Sequence, residues 1–148
     1  MKRQLKQVAL MMIVILPFAV MARSTPASSG KAVFWSDSSC FLMNGSTMSN
    51  GCSTRRSFEI PLTSDSANRK TVFVTAIGAT PSKNVGCMAV GVNREATVFW
   101  GGARRWLPAF GSAQVITLTD AYVPGYGYLF VNCHLDPGGQ VNVVDHNA

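Results

Sequence analysis

The sequence has few of the side chains that enzymes use for acid–base and nucleophilic chemistry. Its 148 residues include seven Asp and Glu in total and two histidines, His134 and His146. His134 directly follows Cys133, so in a strand its ring points to the opposite face from that thiol. His146 is close to the C-terminus, where chains fray. We interpret both as ordinary exposed histidines rather than general bases, and the sequence predicts no catalytic residues.

The carboxylates also lack the pattern of a catalytic pair. Glycoside hydrolysis needs two carboxylates that face one cleft. Asp65, Asp120 and Asp136 instead occupy turn-like segments, where aspartate commonly binds nearby backbone groups. A small secreted hydrolase, built on His134 or on a carboxylate pair, is therefore only the third hypothesis for function.

The spacings typical of metal, redox and nucleotide sites are missing as well. The chain has no Cys-x-x-Cys pair and no Cys/His pairs at zinc-finger spacing. It also has no Asp-x-Asp-x-Asp-Gly calcium loop and no Gly-x-Gly-x-x-Gly or Walker sequence. We expect no cofactor and no metal.

A long apolar run occurs only at the N-terminus. Basic residues at positions 2, 3 and 6 precede the run Val8–Phe18, and Val20–Ala22 fits a signal-peptidase site. The run is shorter than the roughly 20 residues of a membrane-spanning helix. Residues 1–22 are predicted to be a cleaved signal peptide, which makes the mature protein secreted or periplasmic without stable membrane insertion.

The small, polar residues that follow the cleavage site, 23–30, are expected to form a flexible N-terminal tail. Residues 31–148 are then one domain. Cleavage removes three of the 13 basic residues and lowers the formal net charge from +6 to +3. This modest charge gives no reason to expect a nucleic-acid partner.

The even number of cysteines in an exported chain predicts two disulfides. We favour Cys40–Cys52, because turn-forming Asn-Gly pairs lie between them, and this leaves Cys87–Cys133. The two other pairings of the four cysteines stay open at this point.

Short runs rich in β-branched and aromatic residues alternate with turn sequences along the mature chain. Eight such runs and no helical period indicate an all-β, antiparallel β-sandwich. The runs are Lys31–Ser36, Ser57–Leu62, Thr71–Gly78, Val85–Val92, Ala96–Trp100, Ala113–Thr119, Tyr126–Cys133 and Gln140–Asp145.

Two connections between these runs are predicted in more detail. Asn93-Arg94-Glu95 is short enough for a hairpin, and Asp136–Gly139 has the Pro-Gly order of a type II turn. We therefore expect the last two strands to be antiparallel neighbours. On Tyr126–Cys133, alternation puts Leu129, Val131 and Cys133 on the core face.

The C-terminal half of the chain resembles a group of small exported bacterial β-sandwich proteins without assigned activity. In them an aromatic-rich strand runs into Cys-x-Leu-Pro. Here Tyr126–Leu135 (YGYLFVNCHL) ends in Cys-x-Leu, and an earlier cysteine, Cys87, sits mid-strand as it does in that group. The likeness covers roughly Thr71 to the end. The chain differs at Asp136, which separates Leu135 from proline. The resemblance implies a β-sandwich and no catalytic residues.

One segment, Trp100–Phe110 (WGGARRWLPAF), has the composition of a binding loop. Aromatic planes beside guanidinium donors suit sugars or acidic groups. The candidate ligand-binding residues are Trp100, Arg104, Arg105 and Trp106. The structural alternative, which we favour at this stage, is that the large apolar side chains fold back over an open end of the sandwich.

The leading functional hypothesis is a non-enzymatic exported module with a structural or interaction role. A carbohydrate-binding, lectin-like module that uses Trp100–Phe110 is the alternative. The expected partner is thus a glycan or another exported protein.

Overall fold

The fold was analysed in a computed structural model that describes residues 22–147, so the predicted signal peptide, apart from Ala22, and Ala148 lie outside the described residues. The regular secondary structure of the described chain is β-strand, apart from two 3-10 segments, Ala27–Ser29 and Trp35–Cys40. The strands are β1 Ala22–Pro26, β2 Lys31–Ala32, β3 Phe41–Asn44, β4 Thr47–Asn50, β5 Arg56–Leu62, β6 Asn68–Ile77, β7 Val85–Val92, β8 Phe99–Gly101, β9 Arg105–Trp106, β10 Gln114–Val123, β11 Tyr128–Leu135 and β12 Gln140–Asn147.

The strands form two six-stranded sheets, and their pairings are antiparallel. The first sheet has the order β10-β6-β12-β4-β3, with β1 also on β12. The second has the order β2-β5-β11-β7-β8, with β9 also on β7. The predicted all-β antiparallel sandwich is confirmed.

The core lies between the two sheets and follows the alternation of the strands. Val72, Val74 and Ala76 of β6 are fully buried against the second sheet's inward residues. On β11, Leu129, Val131 and Cys133 are buried as the sequence predicts. The opposite face of β11 therefore points away from the core, and it carries Asn132 and His134.

Both favoured disulfides, Cys40–Cys52 and Cys87–Cys133, are present. Cys87 and Cys133 are directly opposite each other on β7 and β11, with their Cα atoms 4.1 Å apart. Cys40 and Cys52 close the base of the β3–β4 hairpin, which turns at Asn44-Gly45. The Cys87–Cys133 bond fixes two central strands of the second sheet, and the Cys40–Cys52 bond fixes an outlying hairpin.

The expectation that the last two strands are neighbours is wrong, because β11 and β12 belong to different sheets. The local turn is as predicted: the Gly139 N–H donates to the Asp136 carbonyl at 2.8 Å, and Gly138 has a φ of 78°. A type II turn twists against the strands of a two-residue hairpin. Here Gly138 N–H also bonds Asn50 O at 2.7 Å, which holds the turn as a corner between sheets.

The N-terminal segment is also different from the predicted flexible tail. Ala22–Pro26 forms β1 and pairs with β12 from Val143 to Asn147, and Ala27 is fully buried. The reason is the short neighbour β4, which pairs with only Gln140 and Val141 of β12. β1 fills the part of the β12 edge that β4 leaves unpaired.

The predicted exposure of His146 is wrong for the same reason. His146 lies in β12 between β1 and β6, is 1% exposed, and its Nε2 is 2.6 Å from the Thr63 carbonyl oxygen. Nε2 must carry the proton to make this bond, since a carbonyl only accepts. His146 is a structural residue in the first sheet.

The predicted hairpin between β7 and β8 is confirmed, with Val92 opposite Phe99. Its loop is longer than expected because the Asn93 carboxamide oxygen accepts bonds from the Thr97 and Val98 N–H groups. Within residues 22–147, no helix is long and apolar enough to cross a membrane.

Candidate functional site

The segment Trp100–Phe110 lies along the β7 edge of the second sheet instead of forming one compact loop. Trp100 is opposite Gly91, and Trp106 is opposite Gly86. These partners are five residues apart on β7, which is about 17 Å along a strand. The two tryptophans therefore do not belong to one site.

Trp100 has a packing role at the sandwich edge. Its ring meets that of Tyr122 edge to face, with centroids 5.8 Å apart and an interplanar angle of 73°. Tyr122 is on β10, so this pair joins the edges of the two sheets. We place Trp100 outside the candidate site.

Arg105 also points away from Trp106. It is opposite Cys87, whose side chain faces the core, whereas Trp106 is opposite outward-facing Gly86. Paired residues on neighbouring strands share a face. Leu107 is buried and Phe110 packs on the core, so this part of the structural alternative is confirmed.

Arg104 reaches over β7 to the outer face of the second sheet. Its Nη1 donates to Gly86 O at 2.6 Å and Asn132 O at 3.1 Å, and its Nη2 donates to Asn132 Oδ1 at 2.7 Å. Burial and the nearby Arg55 charge lower the pKa of Arg104, but a guanidinium stays protonated in proteins. Since its three acceptors are uncharged, Arg104 brings a net positive charge to this face.

Trp106 is seated on the backbone of β7. A Cβ atom added at Gly86 would lie 2.5 Å from the nearest indole atoms, so only glycine leaves room for the ring. The Arg55 guanidinium carbon lies 4.7 Å from the Trp106 ring centroid, within cation–π range. The residue is 38% exposed. Part of the indole is thus held in place while part faces solvent.

Arg55 is held over Trp106 by a buried carboxylate. Arg55 Nε lies 2.7 Å from Asp136 Oδ1, and Asp136 Oδ2 accepts the Asn84 N–H at 3.1 Å. The Asp136 side chain is only 9% exposed. Two fixed acceptor bonds on this carboxylate orient the guanidinium, which in turn limits the movement of the indole.

His134 borders Trp106, with ring centroids 6.5 Å apart. Burial lowers the pKa of His134, the Arg104 and Arg55 charges lower it further, and Asp136 opposes them. Within the described chain, no serine, cysteine or carboxylate is hydrogen-bonded to its ring, and Cys133 is in a disulfide. The nucleophile–base contact that a hydrolase built on His134 requires is not assembled.

The acidic residues are likewise engaged separately. Asp65 pairs with Arg23, Asp120 accepts the Ala103 N–H, and Asp136 pairs with Arg55. Among residues 22–147, no three His, Cys, Asp or Glu side chains are grouped to hold a metal ion.

We call Arg55, Arg104, Trp106, Asn132 and His134 the sheet-face cluster. Arg104 and Trp106 were ligand-binding candidates from the sequence, His134 was considered only as the base of a hydrolase, and Arg55 and Asn132 were missed. Arg55 is 51 positions before Trp106, and only the strand register brings Arg55, the residue before β5, to the end of β11. No local sequence pattern contains that register. The cluster combines a rigid aromatic surface with two cations and neutral polar groups.

Comparison with known proteins gives similarity at the level of fold. No protein-family model matches the chain, and no curated protein matches its sequence. Among solved structures, the chain resembles the C-terminal CBM6 of LamC, a marine laminarinase from Zobellia galactanivorans, with a TM-score of 0.54 and 10% identity over 86% of this chain and 100% of that one.

Two further structures have the same likeness. One is the carbohydrate-binding module CBM6cm-2 from Cellvibrio mixtus lichenase 5A, in complex with cellotriose, with a TM-score of 0.53 and 12% identity over 85% of this chain and 96% of that one. The other is the Podospora anserina GH26-CBM35 β-(1,4)-mannanase, with a TM-score of 0.54 and 7% identity over 85% of this chain and only 27% of that one. The chain shares a β-sandwich fold with these proteins.

Proposed function

We propose that the exported chain is a non-catalytic module that binds a glycan through the sheet-face cluster. The observation that carries the proposal is the partly exposed Trp106 ring, seated on Gly86 and flanked by Arg55 and His134. Structural likeness to carbohydrate-binding modules supports the glycan over another exported protein as partner. This was the alternative hypothesis from the sequence, now with a different set of residues.

The physical basis is a preorganised aromatic surface. Sugars present C–H groups on one side and hydroxyls around the rim, which suits an indole bordered by fixed polar groups. Ordering a loose side chain costs about 0.5–1.5 kcal/mol on binding. Gly86 and Arg55 already restrict Trp106, so the cluster avoids most of that cost.

The charge of the cluster favours glycans that carry acidic groups. Arg104 is bound to uncharged acceptors, while Asp136 neutralises only Arg55. One guanidinium charge is thus uncompensated on this face. Arginine recognises carboxylates through paired N–H groups, so uronic acid residues are suitable contacts.

The location that we propose is the periplasm or the extracellular medium. Disulfides form and persist in those compartments, and the described chain has no free cysteine. We also propose that the chain is related to the small exported β-sandwich proteins that its C-terminal segment resembles, since they share the expected location.

A polysaccharide pull-down with a panel that includes uronic-acid polymers tests the proposal. We expect the protein with both disulfides formed to bind at least one polymer, and Trp106→Ala to weaken binding about 10-fold or more, as for loss of an aromatic hot spot. Trp35→Ala is the matched control, since Trp35 is 82% exposed yet its ring has no aromatic or cationic neighbour in the described chain. Absence of binding to every polymer, or equal loss in both variants with unchanged circular dichroism, would refute it.

A further inference from the structure

The end of the sandwich remote from Trp106 contains a cleft that the sheet-face cluster does not use. The cleft has a volume of about 370 Å³ and lies between the β5–β6 loop, with Ser64, Asp65 and Ser66, and the β10–β11 turn, with Pro124 and Tyr126. The turn precedes Tyr128 at the start of β11, while His134 is near its end, about 20 Å away along the strand. Small-molecule sites begin at roughly this volume.

Tyr126 occupies a backbone conformation that disfavours tyrosine. Its φ is 62°, and the turn is closed by the Gly127 N–H, which donates to Pro124 O at 2.9 Å. Position three of such a turn normally takes glycine or asparagine. Glycines are present on both sides, at 125 and 127, yet the left-handed position itself holds an aromatic residue.

The Tyr126 side chain gives nothing to the fold in return. It is 91% exposed, and within residues 22–147 its ring and hydroxyl have no ring contact and no hydrogen bond. Strained non-glycine residues persist most often where function requires them. The placement therefore indicates a role for the ring in contact with something outside the chain.

The opposite wall of the cleft is polar and fixed. Arg23, on β1, pairs with the Asp65 carboxylate, which remains 55% exposed at its side chain. Ser66 Oγ accepts bonds from Lys70 Nζ at 3.3 Å and Asn68 Nδ2 at 3.0 Å. Lys70 is fully buried beneath the loop; burial lowers its pKa, and Asp65 opposes the shift. The wall thus combines acceptors and hydroxyls, with the carboxylate charge offset by Arg23.

We infer that this cleft is a second subsite, which binds one neutral hexose with Tyr126 against the sugar face and Asp65 accepting hydroxyl protons. The inference rests on the proposed glycan-binding function but uses none of the sheet-face residues. Hydroxyls both donate and accept, so they match a wall of carboxylate and serine groups better than a charged ligand does. The volume, at the low end for ligand sites, fits a small ligand.

The test is an amide NMR titration of the exported, disulfide-bonded protein with methyl glycosides of glucose, galactose and mannose. We expect at least one glycoside to shift the amides of residues 64–66 and 125–127. Tyr126→Asn should weaken that binding about 10-fold, the upper range for one aromatic contact, and Asp65→Asn should weaken it as well. Tyr128→Asn, the same substitution two residues along, should leave it unchanged.

The melting temperature separates binding from a structural role. Asparagine tolerates a left-handed φ, so Tyr126→Asn should raise the melting temperature by about 2–4 °C while it weakens binding. A lower melting temperature for Tyr126→Asn would overturn the inference, because it would show that the ring supports the fold.

The outcomes also distinguish the two sites. If no glycoside shifts the cleft amides while polysaccharide still binds through Trp106, the cleft inference fails and the proposed function stands. If glycosides bind in the cleft but Trp106→Ala leaves polysaccharide binding intact, the inference stands and the sheet-face proposal fails.

Discussion

Trp106 and Tyr126 are two exposed aromatic residues near opposite ends of β11, and the chain holds them in opposite ways. Trp106 rests on Gly86 beneath Arg55, which is itself fixed by a buried carboxylate. Tyr126 stands 91% exposed on a strained turn with no ring contact in the described chain. One ring is supported by a sheet, and the other is displayed by a loop.

This difference shows that exposure alone is a poor guide to function. A supported ring contributes to the stability of the fold and also to ligand binding. Its removal therefore lowers both the free energy of unfolding and the affinity. An unsupported ring in a strained position costs stability, and only an external contact compensates for it. The two regions should therefore respond with opposite signs of stability to loss of their aromatic side chain.

Loss of the Cys87–Cys133 disulfide should have the largest effect on stability and on polysaccharide binding, because this bond crosslinks the strands beneath the sheet-face cluster. On the loop-entropy model, replacing both cysteines by alanine costs about 4 kcal/mol, against about 3 kcal/mol for the Cys40–Cys52 bridge. Urea unfolding of the two double variants measures both. We expect the first variant to be unfolded or nearly so, with polysaccharide binding lost. A smaller effect for the core bridge than for the hairpin bridge would contradict the account.

A glycine-to-alanine change should lower the free energy of unfolding more at Gly86, beneath Trp106, than at Gly125, beside Tyr126. Gly86→Ala puts a Cβ into the Trp106 ring and should cost about 1–3 kcal/mol, the usual range for overpacking. Polysaccharide binding should fall with it. Gly125→Ala in the cleft turn meets nothing within 4 Å and should stay within about 0.5 kcal/mol of the native protein. Chemical denaturation that finds equal costs would show that Gly86 does not seat the indole.

Removal of each aromatic ring tests directly whether the stability changes at Trp106 and Tyr126 have opposite signs. Trp106→Ala should lower the free energy of unfolding by about 1–2 kcal/mol, through lost packing and cation–π contact. Tyr126→Asn should raise it by about 0.5–1 kcal/mol, through relief of the left-handed strain. Thermal and urea unfolding of both variants give the two values. Destabilisation by both would place Tyr126 among ordinary structural residues.

The smallest expected effect is a pH dependence of the unfolding free energy that arises from His134 in the sheet-face cluster. Burial and the charges of two arginines lower the pKa of His134 in the folded protein. As pH falls, the His134 ring is therefore protonated in the unfolded chain before it is protonated in the folded one. The stability contribution is complete above about pH 6.5, the ordinary pKa, and is lost as pH falls toward the folded pKa. His134→Gln should flatten the dependence of the unfolding free energy on pH below about pH 6.5. An unchanged slope in that variant would show that His134 is not the titrating group.

Local chemistry explains which parts of the fold the sequence predicts. The Asn-Gly turns favour the Cys40–Cys52 pairing, which leaves Cys87–Cys133, and both bonds are present in the structure. Alternation on β11 predicts its core face. The partner of β12 is not encoded locally, because the Pro-Gly turn before it reads as a hairpin until Asn50 is known to hold it as a corner. β1 was missed because its small polar residues form a strand only when the β12 edge is available.

The candidate site was predictable in part for the same reason. Trp106 and Arg104 stand out from composition within one segment. Arg55 and Asn132 join them only through the register of β5, β11 and β7, which the pattern of residues does not specify. Tyr126 reads as an ordinary strand residue, and only its positive φ separates it from the rest.

The indole N–H resonances provide the most direct test, because the chain has three tryptophans and each is in a different environment. Trp35 is exposed without ring contacts, Trp100 packs on Tyr122, and Trp106 lies in the sheet-face cluster. Titration with an oligosaccharide from a bound polymer should shift the Trp106 indole signal saturably and leave the other two in place. A saturable shift of Trp35 or Trp100 with Trp106 unmoved would contradict the account.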